Sequence, residues 1–410
     1  MSPEAVAEAV ARHSYGKLVA YLCARTRDVA AAEDALAAAF EAALRDWPLR
    51  GVPASPEAWL LTTARHRLID AARRRQTHDA AAHDLLLLAD VSTDDAAPRA
   101  IPDDRLLLMF ACAHPAIDAG VHAPLMLQTV LGFDAATIAS AFLVAPAAMG
   151  QRLVRAKAKI KQAGIPFRLP EADDLAPRLA GVLEAIYAVF AEGWADPAGT
   201  DARRRNLADE GLWLGQLVAT LLPDEPEALG LLALMLHAQA RRGARRDTAG
   251  HYVPLAEQDT AAWDGALIDR AEALLRRASR LGRIGRFQLE AAVQSAHSVR
   301  RLTGRADWPA IALLYDGLLA LTGSPVVAVN RAVALAEAEG AAAGLAALDG
   351  VAADPRLADH QPYWAARAGL LARHGDTAAA DAAYRRAIGL EADPAVRRFL
   401  HQRREALATE

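Results

Sequence analysis

Three groups of side chains in this sequence have the types and spacing to do chemistry, and in each the chemistry is recognition of charge rather than bond making. The first is Gln151, Arg152, Arg155, Lys157, Lys159 and Lys161, preceded by Ala147 and Ala148, with no acidic residue between Ala135 and Gly164. Such a set can track phosphates and offer an amide and a guanidinium to base edges. The second is Arg65, His66, Arg67, Arg73 and Arg74, behind a proline-rich loop that ends at Ser55 and close to Trp59. Cations for a phosphate backbone and a rigid loop into which an unstacked base can turn suit strand opening. The third is acidic: Glu33, Asp34 and Glu41, followed by Trp47. Carboxylates along one side of a helix suit a basic protein surface, and a solvated face is the plain alternative. Cys112, His114 and His122 offer metal-binding atoms, but one cysteine without a second ligand pair points to packing, so no metal is expected. No Walker motif, GxGxxG or HExxH occurs. Neither an enzyme nor a cofactor is expected.

The first group needs a helix to hold it, and the sequence supplies one. Asp134 can cap a short helix that runs to about Phe142. Leu143-Val144-Ala145 makes a tight apolar turn, and Pro146 suits the first position of a second helix. In that helix Met149, Leu153, Ala156 and Ile160 form a core stripe, leaving the basic residues on the other faces. A short helix, a tight turn and a basic second helix match a helix-turn-helix whose second helix enters a major groove. An ordinary helical hairpin with a solvated basic face is the alternative. The other two groups lie on predicted helices Asp28–Trp47 and Pro56–Arg75, separated by the loop Gly51–Pro56.

Composition sets the frame. Alanine is abundant, aromatics make up 5% and hydrophobic residues 53% of 410 positions, which favours an almost wholly helical protein of several domains. The formal charge is −4, so a nucleic-acid surface must be local. Two cysteines imply a reducing compartment and no disulfide framework. The first residues, MSPEAVAEAVARHSYGKL, lack the basic start and apolar core of a signal peptide, and no apolar run is long enough to span a membrane. A cytoplasmic protein without a membrane partner is expected.

Ala32-Glu33-Asp34-Ala35 with Phe40 and Trp47, then Ala58-Trp59-Leu60 and Ala64-Arg65-His66-Arg67-Leu68-Ile69-Asp70, resemble region 2 of extracytoplasmic-function (ECF) sigma factors. Thr137–Lys161 resembles region 4 of the same class through Ile138-Ala139, Arg152-Leu153 and Arg155-Ala156. Ala37 and Ala38 stand where the class usually has polar or acidic residues, and Thr137, Ala148 and Gly150 replace its usual Glu, Thr and Lys. The resemblance implies core RNA polymerase and promoter DNA as partners. Glu33, Asp34, Glu41 and Trp47 would grip polymerase. Ser55, Trp59, Arg65, His66, Arg67, Arg73 and Arg74 would open the −10 element. Ala147, Ala148, Gln151, Arg152, Arg155, Lys157, Lys159 and Lys161 would read the −35 element.

The implied domains are region 2 at 1–76, an acidic linker at 77–104, region 4 at 105–168 and a helical extension at 169–410. In the extension Trp364, Gly375, Ala380, Tyr384 and Ala387 are spaced as in a tetratricopeptide repeat, and Gly340 lies 35 residues before Gly375. The repeats are clearest at 324–394. With Ala111–Pro115, Ile165-Pro166-Phe167, Leu222–Glu227 and Asn330–Ala334, the whole resembles the sigma subgroup that carries a tetratricopeptide-type C-terminal extension. The expected fold is all-α: two small sigma domains followed by a solenoid that modulates activity. Arg241, Arg242, Arg245, Gln258, Asp259, Trp263 and Asp264 mix charge with an aromatic and can line a groove for a peptide, protein or small ligand, or else brace helices internally. The alternative to a sigma factor is a helical-repeat scaffold with a plain DNA-binding helix-turn-helix.

Overall fold

Ser2 starts the first helix by accepting the Ala5 amide on its hydroxyl at 3.2 Å, and Pro3 takes the position where a missing N–H costs nothing. In the computed structural model, which describes residues 2–74, 103–142, 144–194 and 202–407, this helix is α1, Pro3–Thr26. It stops where Arg27 turns left-handed at φ 54°. Asp28 then caps α2, Val29–Arg50, through the Ala31 amide at 3.0 Å. Its buried face, Val29, Ala32, Leu36, Ala39, Ala43 and Trp47, follows helical spacing. α3, Pro56–Arg74, packs on both, with Trp59 edge-on to Trp47 at 5.6 Å. Among the described residues there are helices and no strand, the all-α fold expected; Arg246 and Tyr252 form an isolated bridge. The expected linker lies outside the described residues except for Asp103 and Asp104, and Leu143 of the expected turn is outside them too.

The chain continues with α4 (Arg105–Cys112), α5 (Ala119–Thr129), α6 (Ala135–Ala141), α7 (Pro146–Gln162), α8 (Ala172–Trp194) and α9 (Ala202–Leu221). Asp134 caps α6 through the Ala136 and Thr137 amides, both at 2.9 Å, and accepts the Thr137 hydroxyl at 2.6 Å. Val144 donates back to the Ala139 carbonyl at 2.9 Å and closes the turn into α7. Met149, Leu153, Ala156 and Ile160 bury the inner face of α7. α1 reaches the end of α5 so closely that a Cβ on Gly16 would sit 2.0 Å from the Val130 carbonyl oxygen.

Two compact units divide the chain, Met1–Leu214 and Gly215–Glu410. The division falls inside α9 and not at the expected boundary near residue 168. The cause is α8, which packs on α4 and α5, buries Leu179, Val182, Leu183 and Ile186, and donates from Arg178 to the Phe110 carbonyl at 3.0 Å.

In the second unit α10 (Pro226–Ala240) packs against α11 (Gly265–Arg280) and α12 (Arg286–Ser298). After the short α13 (Arg300–Thr303) come α14 (Trp308–Thr322), α15 (Pro325–Glu339), α16 (Ala341–Asp349), α17 (Gln361–His374), α18 (Thr377–Leu390) and α19 (Pro394–Ala406). From α14 onward each helix packs on the next. Small residues permit this: Ala332, Ala336, Ala368, Ala380, Ala383 and Ala387 line the core, with Leu348, Tyr363 and Tyr384 filling between them.

Candidate nucleic-acid interface

At about 100° per residue the basic side chains of α7 divide onto two flanks of the buried stripe. Arg152, Arg155 and Lys159 lie on one flank, are exposed, and have no ion-pair partner among the described residues. Arg155 touches only its own helix, donating from Nε to the Gln151 carbonyl at 3.3 Å. These three cations rim a cavity of about 470 Å³ whose apolar floor includes Ile117, Val121 and Ala156. Asp118 is the acidic group of this lining, and its Oδ1 accepts the Gly120 amide at the start of α5. A cationic rim over an apolar floor suits a sugar–phosphate backbone. Gln151 is exposed on the outer face, as is Ala147; Ala148 is half-buried.

The opposite flank faces α2. Lys157 Nζ lies 2.7 Å from Glu33 Oε2, and the two side chains are only 13% and 11% exposed. Lys161 Nζ lies 2.6 Å from Asp28 Oδ2, while Asp28 Oδ1 still caps α2. Residues expected to face DNA and a residue expected to face polymerase are thus brought together against each other. Burial lifts the Glu33 carboxyl above the ordinary carboxylate range, with Lys157 pulling the other way. Lys157 fills only one oxygen, and Glu33 Oε1 is buried without a hydrogen bond. Asp34 and Glu41 remain exposed. Trp47, expected at a partner surface, is 2% exposed and packs as core, because the i, i+4 spacing from Ala43 turns it inward.

The second basic group is divided as well. Ser55, His66 and Arg67 are exposed and Trp59 is half-buried. Arg65 is half-buried beside Tyr21, 5.2 Å over its ring and hydrogen-bonded to its hydroxyl. The side chains of Arg73 and Arg74 lie outside the described residues. Cys112, His114 and His122 each have local partners: Cys112 Sγ meets Thr129 Oγ1 at 3.3 Å, His114 Nδ1 accepts the Ala116 amide, and His122 Nε2 bonds the Ile117 carbonyl. Burial pushes the Cys112 thiol up to about 12.

In the second unit the expected groove residues separate into braces and caps. Arg241 is 8% exposed, bonds Gln294 and lies 5.8 Å over the Trp263 ring. Trp263 Nε1 donates to Gln258 Oε1 at 3.3 Å, and Arg300 holds the Leu255 and Gln258 carbonyls from the other side. Burial, with Arg245 and Arg300 nearby, brings the Arg241 guanidinium down to about 10. Burial likewise lowers Arg245. Arg242 is half-buried. Asp259 caps Ala261 at 2.9 Å, and Asp264 caps Leu267 at 3.1 Å to open α11. Gln294, Arg300 and His297 belong to this network and were not signalled by the sequence, since each sits on an unremarkable helical register.

Residues 10–78 match the sigma-70 region 2 family, which covers most of α1 and all of α2 and α3. Residues 178–279 match a family of unknown function, DUF6596. An N-terminal sigma-70 region 2 domain supports a sigma factor, and it implies core RNA polymerase and promoter DNA as binding partners. Over 389 residues the chain is 38% identical to an uncharacterized protein of Rhizobium meliloti (strain 1021), covering 94% of this chain and 92% of that one. The chain belongs to the family of that protein. No solved structure matches it. Among the described residues, no helix is long and apolar enough to cross a membrane.

Proposed function

We propose that this chain is an RNA polymerase sigma factor of the ECF class, with α1 to α3 as region 2, α4 to α7 as region 4, and a tetratricopeptide-like C-terminal domain that modulates its activity. The observation that carries the reading is order: a sigma-70 region 2 match at 10–78 is followed by a capped short helix, a tight turn and a basic helix whose Arg152, Arg155 and Lys159 are open. Region 2 would hold polymerase through the carboxylates of α2 and the −10 strand through Ser55, Trp59, Arg65, His66 and Arg67. α7 would enter the −35 major groove with Gln151, Arg152 and Arg155, flanked by lysines on phosphates. This work is binding and strand opening in the cytoplasm, without enzymatic chemistry or a cofactor. The succession of small-residue helix pairs from α14 to α19 supports the repeat reading. Run-off transcription with purified core polymerase tests the proposal. A sigma factor starts a discrete transcript; a scaffold with a plain DNA-binding helix-turn-helix binds no core enzyme and starts none.

A further inference from the structure

We infer that the second unit carries a binding site for a phosphate group, built around the buried guanidinium of Arg241 and completed by Arg300, Tyr315 and the Trp263 ring. The site lies apart from the surfaces assigned to promoter and polymerase, and it does not depend on the sigma-factor reading.

Arg241 follows directly on the last turn of α10 and is 8% exposed. Its Nη2 donates to Gln294 Oε1, while Nε and Nη1 are buried without a hydrogen bond. Among the described residues no carboxylate pairs with it; its charged neighbours are Arg245 and Arg300. Arg300 donates to the Leu255 and Gln258 carbonyls, again with no carboxylate partner among the described residues. Both guanidiniums lie over the Trp263 ring, Arg241 at 5.8 Å and Arg300 at 5.2 Å. The carboxylates of neighbouring segments are engaged elsewhere. Asp259 and Asp264 are exposed caps, and Glu290 holds Arg286 at 2.7 Å. The carbonyl end of α10 offsets only about half an elementary charge, with Arg242 and Arg245 following Arg241 beyond it.

Buried donors are normally paired, and a guanidinium keeps its proton near neutral pH. A water molecule can meet the orphaned N–H groups but leaves the charge uncompensated. An anion does both. Two arginines without carboxylates call for about two negative charges, which a phosphate group carries near pH 7 and a carboxylate does not. Guanidinium nitrogens and phosphate oxygens also match in geometry. Tyr315, on α14, adds a donor: burial pushes its hydroxyl up to about 12, with Arg241 pulling the other way, so the proton stays on. These residues come from α13, α14 and the excursion between α10 and α11, so an occupied site ties that excursion to the helices around it. The free ion and a small phosphorylated molecule share this chemistry.

The test uses the full-length chain in phosphate-free buffer at pH 7.5 and constant ionic strength. Inorganic phosphate, glycerol phosphate, acetate and chloride are compared by calorimetric titration and by thermal unfolding. Inorganic phosphate should bind with Kd of about 100 μM or tighter. At about 10 mM it should raise the melting temperature by about 5 °C, with acetate and chloride at least about tenfold weaker. Tighter binding of glycerol phosphate than of inorganic phosphate assigns the site to a phosphorylated molecule, and the reverse order assigns it to the free ion. Arg241→Met should abolish the phosphate-dependent shift, yet melt no lower than the unsubstituted chain without phosphate, because an unpaired buried charge has been removed. Arg241→Gln is the second variant, with circular dichroism as the check on folding. Absence of phosphate binding by the unsubstituted chain overturns the inference, as does an equal phosphate shift in either folded variant. An equal effect of acetate overturns the choice of phosphate. None of these measurements involves polymerase, so failure of run-off transcription overturns the sigma-factor reading and leaves this site to its own titration.

Discussion

Mild acid is expected to destabilise the second unit because two histidines are folded into it as neutral imidazoles. His237, on α10, is 0% exposed; its Nδ1 lies 3.3 Å from Ser298 Oγ and its Nε2 has no hydrogen bond. His297, on α12, stands edge-on to Trp308 at 5.4 Å with Arg241 and Arg300 close by. Burial, then Arg241 for both and Arg300 for His297 as well, brings each down to about 4. The folded value lies below the unfolded one, so the unfolded chain binds more protons in acid. The stability these residues contribute is present above the ordinary histidine value near 6.5, and is lost as pH falls towards 4. At pH 5 the loss is about 2 kcal/mol for each histidine, hence about 4 kcal/mol for the pair, a large part of a domain's ordinary margin. Glu272 Oε1, 3.5 Å from His237 Nε2, works against the effect, but that carboxylate is also engaged by Ser295 and Arg276. Urea unfolding followed by circular dichroism at pH 7.5, 6 and 5 measures the slope. A flat profile between pH 6.5 and 5 refutes the reasoning, as does an undiminished slope in His237→Gln/His297→Gln.

Arg155→Ala should leave thermal stability within about 0.5 kcal/mol, since the side chain is exposed and meets only its own helix, while promoter affinity falls about tenfold in a fluorescence anisotropy titration. Lys159→Ala should weaken all sequences alike and reduce the salt slope by about one; a sequence-dependent loss would contradict its place on phosphates. Gly16→Ala should cost about 3 kcal/mol or more, because the new methyl meets the backbone oxygen of Val130 at 2.0 Å, and an unchanged melting temperature would show that α1 can move away freely. Truncation after Arg168 should leave a poorly folded fragment and truncation after Trp194 a better one, because α8 buries four aliphatic side chains worth about 1.5–3 kcal/mol each; equal melting of the two fragments would refute this.

Local structure was legible where one short stretch carries the whole signal. Asp134, Pro146 and the stripe Met149, Leu153, Ala156, Ile160 foretell α6 and α7, because a cap, a first-turn proline and a 3.6 period act within a few residues of one another. The unit boundary was less legible. The short two-proline stretch Ile165–Pro170 looks like a domain end, yet α8 beyond it packs back on α4 and α5. A proline-marked connector says that a helix stops, and carries no information on where the next one docks. His237 was hidden for a similar reason: it directly follows the apolar run Leu229–Leu236, and its burial is decided by α12 packing over it.

The charged residues show the limit most clearly. Each acidic or basic set reads, in its own window, as a face waiting for an outside partner. Glu33 and Lys157 are 124 positions apart, and nothing in either window indicates that one completes the other. The same one-sidedness makes Arg241 and Trp263 look like groove residues, although the arginine's neighbours are Gln294 and Arg300 from helices packed later in the chain. Composition does carry one trace of the arrangement: a helix as basic as α7 sits in a chain of net charge −4, so compensating carboxylates must be near it or face solvent. The fold settles that choice for one flank and leaves it open for the other. Lys157 and Lys161 are compensated by α2, while Arg152, Arg155 and Lys159 keep their charge exposed over an apolar floor. An uncompensated flank costs little in water and is therefore free to be selected for a partner; a compensated one has to be released before it can act.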